Sequence, residues 1–177
     1  MNAYEKAIFE VCNVMVKYAL DGCFNVYGFG GIPHYIGAKN KVSRLWNLNG
    51  KDDPRCEGTM EVLSAYQKGI LNTTLAGPSY FCKLFSTIET SIKENLAKTG
   101  LEKNRLYDVV IIVTDGECHD MKETIELLVG LSGMPFSAVV IGVGDGDFEK
   151  MEVLDADGES LKDENNNEAI RDIVQLV

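Results

Sequence analysis

Two short, almost unbroken β-branched runs constrain this chain more than anything else in it: YDVVIIVTDG at 107–116 and FSAVVIGVG at 136–144. Neither alternates apolar with polar, as a strand with one wet face would, so each reads as a buried parallel strand covered on both sides. Between them, Asp120 followed by Glu123 has the spacing of a helix N-cap and its box partner. Parallel neighbours need a crossover of a dozen or more residues, usually a helix. The expected fold class is therefore α/β, an open, mostly parallel sheet with helices on both faces and the 107–116 strand at its centre. Ligands of such sheets gather at the C-terminal ends of the strands.

The flanking sequence extends the pattern. Tyr4, Ile8, Val11, Cys12, Met15 and Ala19 recur at helical spacing between Asn2 and Leu20, with Asn2 as N-cap and Glu5 as its box partner. Cys23 to Gly30 reads as a strand, and Lys41 to Asn49 as a weaker one at an edge. After the Asp52-Asp53-Pro54 turn, Met60, Leu63, Tyr66 and Ile70 mark a second helix. Ser79 is placed to cap a third, whose stripe is Phe81, Leu84, Phe85, Ile88, Ile92 and Leu96. Asn165-Asn166-Asn167 marks a loop, and AIRDIVQLV is read as a short closing helix. With no internal repeat and no long linker, residues 1–177 are expected to form a single domain.

Composition narrows the function. Lys and Arg total 17 against 27 Asp and Glu, and a formal net charge of −10 repels phosphate backbones, so nucleic acid is not an expected partner. No apolar run approaches the roughly 20 residues of a membrane span, and the N-terminus lacks a secretory pattern, which points to the cytosol. Cys12, Cys23, Cys56, Cys82 and Cys118 are an odd, scattered set that reads as reduced thiols, mostly small core residues. Neither GxGxxG nor GxxxxGK[ST] occurs, so nucleotide-binding readings fail. Cys118 and His119 are sequence neighbours, a poor start for an oriented nucleophile–base pair, and no enzyme is expected. Asp155 to Glu159 is no EF-hand, because glycine is fourth and Asn166 twelfth.

Two residues could carry chemistry. Asp115 ends a buried strand and precedes Gly116, so it reads either as a metal or phosphate ligand at the sheet edge or as a loop aspartate bonding a nearby amide. Ser79 reads as a helix cap or as a hydroxyl ligand beside it. Asp120 could reach an ion through water, though capping a helix suits it better, and Asp147 is placed to cap the FEKMEVL helix.

YGFGG from Tyr27, GPSYF from Gly77, IIVTDG from Ile111, MPFSAVVIGVGDGDFEKMEVLDADG from Met134 and RDIVQLV from Arg171 together resemble the copine-type von Willebrand factor A domain. The resemblance runs through nearly the whole chain in the right order. It implies a Rossmann-like sheet and a metal-ion-dependent adhesion site for Mg²⁺ or another divalent cation. Ser79 stands where the family has a threonine, and Asp115 where it has the aspartate of its Thr-Asp-Gly turn. The family's Asp-x-Ser-x-Ser loop has no counterpart, because this chain starts at the family's first helix. Binding in the millimolar range or none is then expected.

The implied function is a non-enzymatic protein-interaction module of calcium- and phospholipid-linked signalling, cytoplasmic, and touching membranes only through other modules of the family. Its protein partner would meet the C-terminal strand edge, where a partner carboxylate could complete the metal shell. An alternative is the substrate-recruiting domain of a copine-like ubiquitin ligase, and a third reading is a purely structural role. Without the first strand, one of three outcomes is expected: pairing of the Cys23 and Tyr107 strands, a strand supplied by a partner as in a strand-exchanged homo-oligomer, or a truncated chain.

Overall fold

The computed structural model describes residues 1–37, 41–100, 106–157 and 160–177, and the chain divides into two compact units, Met1–Tyr80 and Phe81–Val177. Both are mixtures of helix and strand. Gly158 and Glu159, which close the acidic loop considered above, lie outside the described residues.

The first unit opens with α1 (Ala3–Met15), whose Asn2 side chain accepts from Glu5 N while Glu5 accepts from Asn2 N, the reciprocal box expected. The helix stops at Met15 instead of Leu20. Three-residue bonds, Lys17 N to Val14 O and Tyr18 N to Met15 O, tighten its end, and Tyr18 and Leu20 stay exposed. The chain from Cys23 does not form one strand. It breaks at Val26 into β1 (Cys23–Asn25) and β2 (Tyr27–Gly28), followed by β3 (Gly31–Pro33) and a short 3-10 helix, His34–Ile36.

Each piece finds its own antiparallel partner. β1 pairs with β5 (Arg55–Glu57), β2 with β4 (Trp46–Asn47) and β3 with β6 (Thr73–Leu75). The Cys23 strand thus takes β5 as its partner. The expected Lys41 to Asn49 strand contracts to β4 and a bridge from Ser43 to Gly31. Helix α2 (Gly58–Leu71) packs on α1 around Cys12, Cys56, Val62 and Ala65, and Tyr4 stacks on Tyr66 at 6.4 Å. Its buried face is Thr59, Val62, Leu63, Ala65 and Gly69, whereas Met60 is 67% exposed. The inward stripe is therefore turned from the expected one, because small residues let α2 approach its neighbours closely.

The second unit is built on α3 (Cys82–Thr99), β7 (Asp108–Thr114), α4 (Met121–Leu131), β8 (Phe136–Gly142), α5 (Glu149–Asp155) and β9 (Val174–Leu176). Its sheet has the order β7-β8-β9, all parallel, with Ile111 opposite Val139 and Val139 opposite Gln175. β8 is the middle strand. The expectation that the 107–116 strand lies centrally is corrected: among the described residues β7 pairs on one side only, and Val109 is 41% exposed. The closing segment is also corrected from helix to strand, since the free edge of β8 offers backbone partners that a nine-residue helix would forgo. Phe85, Ile92, Ile112, Leu128, Leu131, Phe136 and Met151 fill the core, with Phe85 edge-on to Phe136 at 6.0 Å.

Candidate functional site

The C-terminal ends of β7 and β8 carry the residues singled out in sequence. β7 closes on buried Thr114, whose hydroxyl accepts from Gly116 N at 3.2 Å and whose carbonyl accepts from Val143 N at 2.8 Å. Asp115 follows it and is exposed. Gly116 sits at φ +100, and a Cβ there would run into the Asp147 carbonyl. A Cβ on Gly146 would likewise run into the Asp115 carbonyl. The two turns are pressed backbone against backbone, and only glycine permits the approach at both positions. Asp115, Glu117, Asp145 and Asp147 are exposed in these turns. Lys150 Nζ lies 3.5 Å and His119 Nε2 3.7 Å from a Glu117 carboxylate oxygen.

Ser79 belongs to the first unit, half-buried just after the cis Gly77–Pro78 bond. A Cβ on Gly30 would come within 2.9 Å of its Oγ. Its expected role as the cap of α3 is corrected, because that helix starts at Cys82 with Phe81 as its N-cap. The capping oxygens come from Asp120, which accepts from Phe81 N and Cys82 N, each at 2.9 Å. Asp120 stands at the N-cap of α4 but makes no side-chain cap there, so the expected box with Glu123 does not form. It also accepts from Cys118 Sγ at 3.3 Å and Thr124 Oγ1 at 3.2 Å. Burial works against the charge, yet hydrogen bonds from Cys82, Phe81 and Cys118 outweigh it and hold this carboxyl below its usual range. Sequence reasoning missed this anchor because donor and acceptor are far apart along the chain; no local pattern announces it.

The two side chains named for a cation are thus one hydroxyl and one carboxylate, Ser79 in the first unit and Asp115 in the second. Among the described residues no three His, Cys, Asp or Glu side chains gather in a group that could hold a metal ion. One carboxylate and one hydroxyl do not fit a tightly held resident cation, which draws its ligands from a fuller oxygen cage. Asp147 is engaged as expected: its carboxylate accepts from Glu149 N at 2.9 Å, at the start of α5, although the formal cap position is Phe148. Cys118 is buried, and burial pushes its thiol up to about 11, so it is a protonated donor at neutral pH. All five cysteines are free thiols, as expected. No described helix is long and apolar enough to cross a membrane.

Similarity to known proteins covers both units. Protein BONZAI 1 of Arabidopsis thaliana is 38% identical over the full length of this chain, which covers 30% of that relative. Copine-C of Dictyostelium discoideum is 37% identical over 99% of the chain and 31% of its own length. Nicotinic receptor-associated protein 1 of Caenorhabditis briggsae is 34% identical over 99% of the chain and 27% of its own length. The chain therefore spans about a third or less of the curated relatives it matches. The sequence profile described as Copine matches residues 1–177, so the alternation of helices and buried parallel strands with a Thr-Asp-Gly turn at their rim belongs to a known lineage: this chain is a member of the copine family.

Proposed function

We propose that the chain is a non-enzymatic protein-interaction module whose contact surface is the rim formed by the Asp115–Glu117 and Asp145–Asp147 turns. One observation carries the reading: exposed carboxylates stand on turns that Gly116 and Gly146 lock together, so the surface is presented without a large ordering cost on binding. Its acidic character favours a partner segment bearing Lys or Arg. A relative whose name records association with a nicotinic receptor supports a binding role for the family. In the cation-dependent form of the same reading, Asp115 shares a weakly held Mg²⁺ or other divalent ion with a carboxylate of the partner. The wider von Willebrand factor A-type sheet, a cytoplasmic location and calcium- and phospholipid-linked signalling go with this reading through the family resemblance.

The experiment is a pull-down with wild type and Asp115→Ala, each with and without chelator. Loss of the partner in the variant is the expected result. Sensitivity of wild type to chelator would assign a shared cation, and indifference a direct contact. Full retention of every partner by Asp115→Ala would remove the rim from the interaction.

A further inference from the structure

A cavity of about 290 Å³ opens on the first unit between α2 and the turn at 48–51, and every residue lining it belongs to that unit. Glu61, Ser64, Ala65, Lys68 and Asn72 recur at helical spacing, so α2 and its C-cap supply one continuous wall. The apolar lining is Leu48, Ala65 and Gly69. A Cβ on Gly69 would stand 2.6 Å from Leu48 Cδ1, so the absence of a side chain there is what lets Leu48 lie against the helix. Tyr35 also lines the cavity and is held in place: its hydroxyl donates to Leu48 O at 3.1 Å and accepts from Trp46 Nε1 at 2.8 Å.

Some of the polar groups here are already satisfied. One Glu61 carboxylate oxygen accepts from Glu57 N at 2.7 Å, and the other lies 3.2 Å from Lys51 Nζ. The carbonyls ending α2 are covered as well, Lys68 O by Asn72 Nδ2 and Gly69 O by Asn72 N. Other groups are not. Among the described residues Lys68 forms no ion pair and Asn72 Oδ1 has no hydrogen-bond partner. The half-buried Ser64 hydroxyl has none either, unlike Thr87 and Thr90 of α3, which donate to the carbonyl one turn earlier. A cation, a hydroxyl and a carbonyl acceptor therefore stand unanswered around an apolar lining.

We propose that this cavity receives the C-terminal residue of a partner polypeptide, an apolar residue such as leucine with its free carboxylate. The carboxylate answers Lys68 and Ser64, the last peptide N–H answers Asn72 Oδ1, and the side chain is buried against Leu48, Ala65 and Gly69. Size agrees with this. Ligand pockets run from roughly 300 to 1,000 Å³, and one at the small end holds about one large residue. A free amino acid fits worse, because its ammonium needs an anion and both Glu61 oxygens are engaged. A simple aliphatic acid carries no N–H for Asn72.

Isothermal titration of the whole chain with N-acetyl-Ala-Ala-Leu, and with the same peptide amidated at its C-terminus, tests the proposal. Fluorescence gives a second readout, since Trp46 is the only tryptophan and bonds Tyr35. The acid should bind saturably at one site, and the amide at least about tenfold more weakly. Lys68→Ala should lose a similar factor, and Ser64→Leu, which fills the cavity, should abolish binding. Lys17→Ala, at an exposed lysine outside the cavity, should change nothing. If circular dichroism shows that Ser64→Leu does not fold, Lys68→Glu reverses an exposed charge and should abolish binding with the fold kept. Isocaproate, which lacks the peptide N–H, should bind more weakly than the peptide acid. Equal binding of acid and amide, wild-type affinity in Lys68→Ala, or no saturation at millimolar peptide overturns the proposal. So does isocaproate binding as tightly as the peptide, which would make this a site for small acids.

Discussion

Asp120 and Asp155 are both buried carboxylates of the second unit, and their surroundings push them in opposite directions. Asp120 holds the first amides of α3, and its carboxyl lies below its usual range. Its contribution is present above the unfolded pKa and is lost as pH falls through the folded one. Asp120→Ala should cost about 3 kcal/mol in urea unfolding, because two amides and a hydroxyl lose a charged acceptor in a dry site. Asp155 is raised, first by burial and then by the nearby Asp157 and Asp172, and its Oδ1 has no hydrogen-bond partner among the described residues. An acid with a raised folded pKa gains stability as pH falls through that pKa. Calorimetry as pH is lowered from neutral into the carboxylate range should show a contribution from this group that raises the midpoint, absent in Asp155→Asn. Of these roles the sequence disclosed the wrong one for Asp120: the Asp-to-Glu123 spacing is a valid cap pattern, but in the fold the carboxylate accepts from the Phe81 and Cys82 amides instead of capping its own helix.

At the scale of elements, the strand-end turns are the most sensitive. Gly116→Ala combines a φ of +100 with a collision at the Asp147 carbonyl and should cost at least about 2 kcal/mol. Gly146→Ala, blocked by the Asp115 carbonyl, should lower stability too, and both should weaken capture of a partner at the rim; thermal melts and the pull-down read the two effects separately. Elements set by local chemistry were legible from residue order: α1 through its reciprocal Asn2–Glu5 box, and β7 and β8 through their β-branched runs. Elements set by distant partners were not. AIRDIVQLV carries apolar residues that satisfy both periodicities, and only the open edge of β8 decides for β9. The Cys23 run alternates well, yet two separate partners cut it into pieces at Val26. Asp115 was correctly placed at the tip of a strand, but the glycine contacts that fix its turn depend on Gly146, which lies beyond an intervening helix.

For the whole molecule, the charge of −10 is the property that acts at a distance. Neither duplex DNA nor anionic vesicles should retain the chain at low salt without added cations, as a filter-binding and a flotation assay would show. Raising ionic strength should increase the unfolding midpoint by screening this self-repulsion. The placement of β9 has a further consequence during synthesis. β8 leaves the ribosome about thirty residues before Val174–Leu176, so at the usual pace of roughly 5–20 residues per second its second edge stays unpartnered for a few seconds. That interval is when a nascent-chain chaperone has something to hold, and a slow codon run placed there would lengthen the exposure of the unit's middle strand.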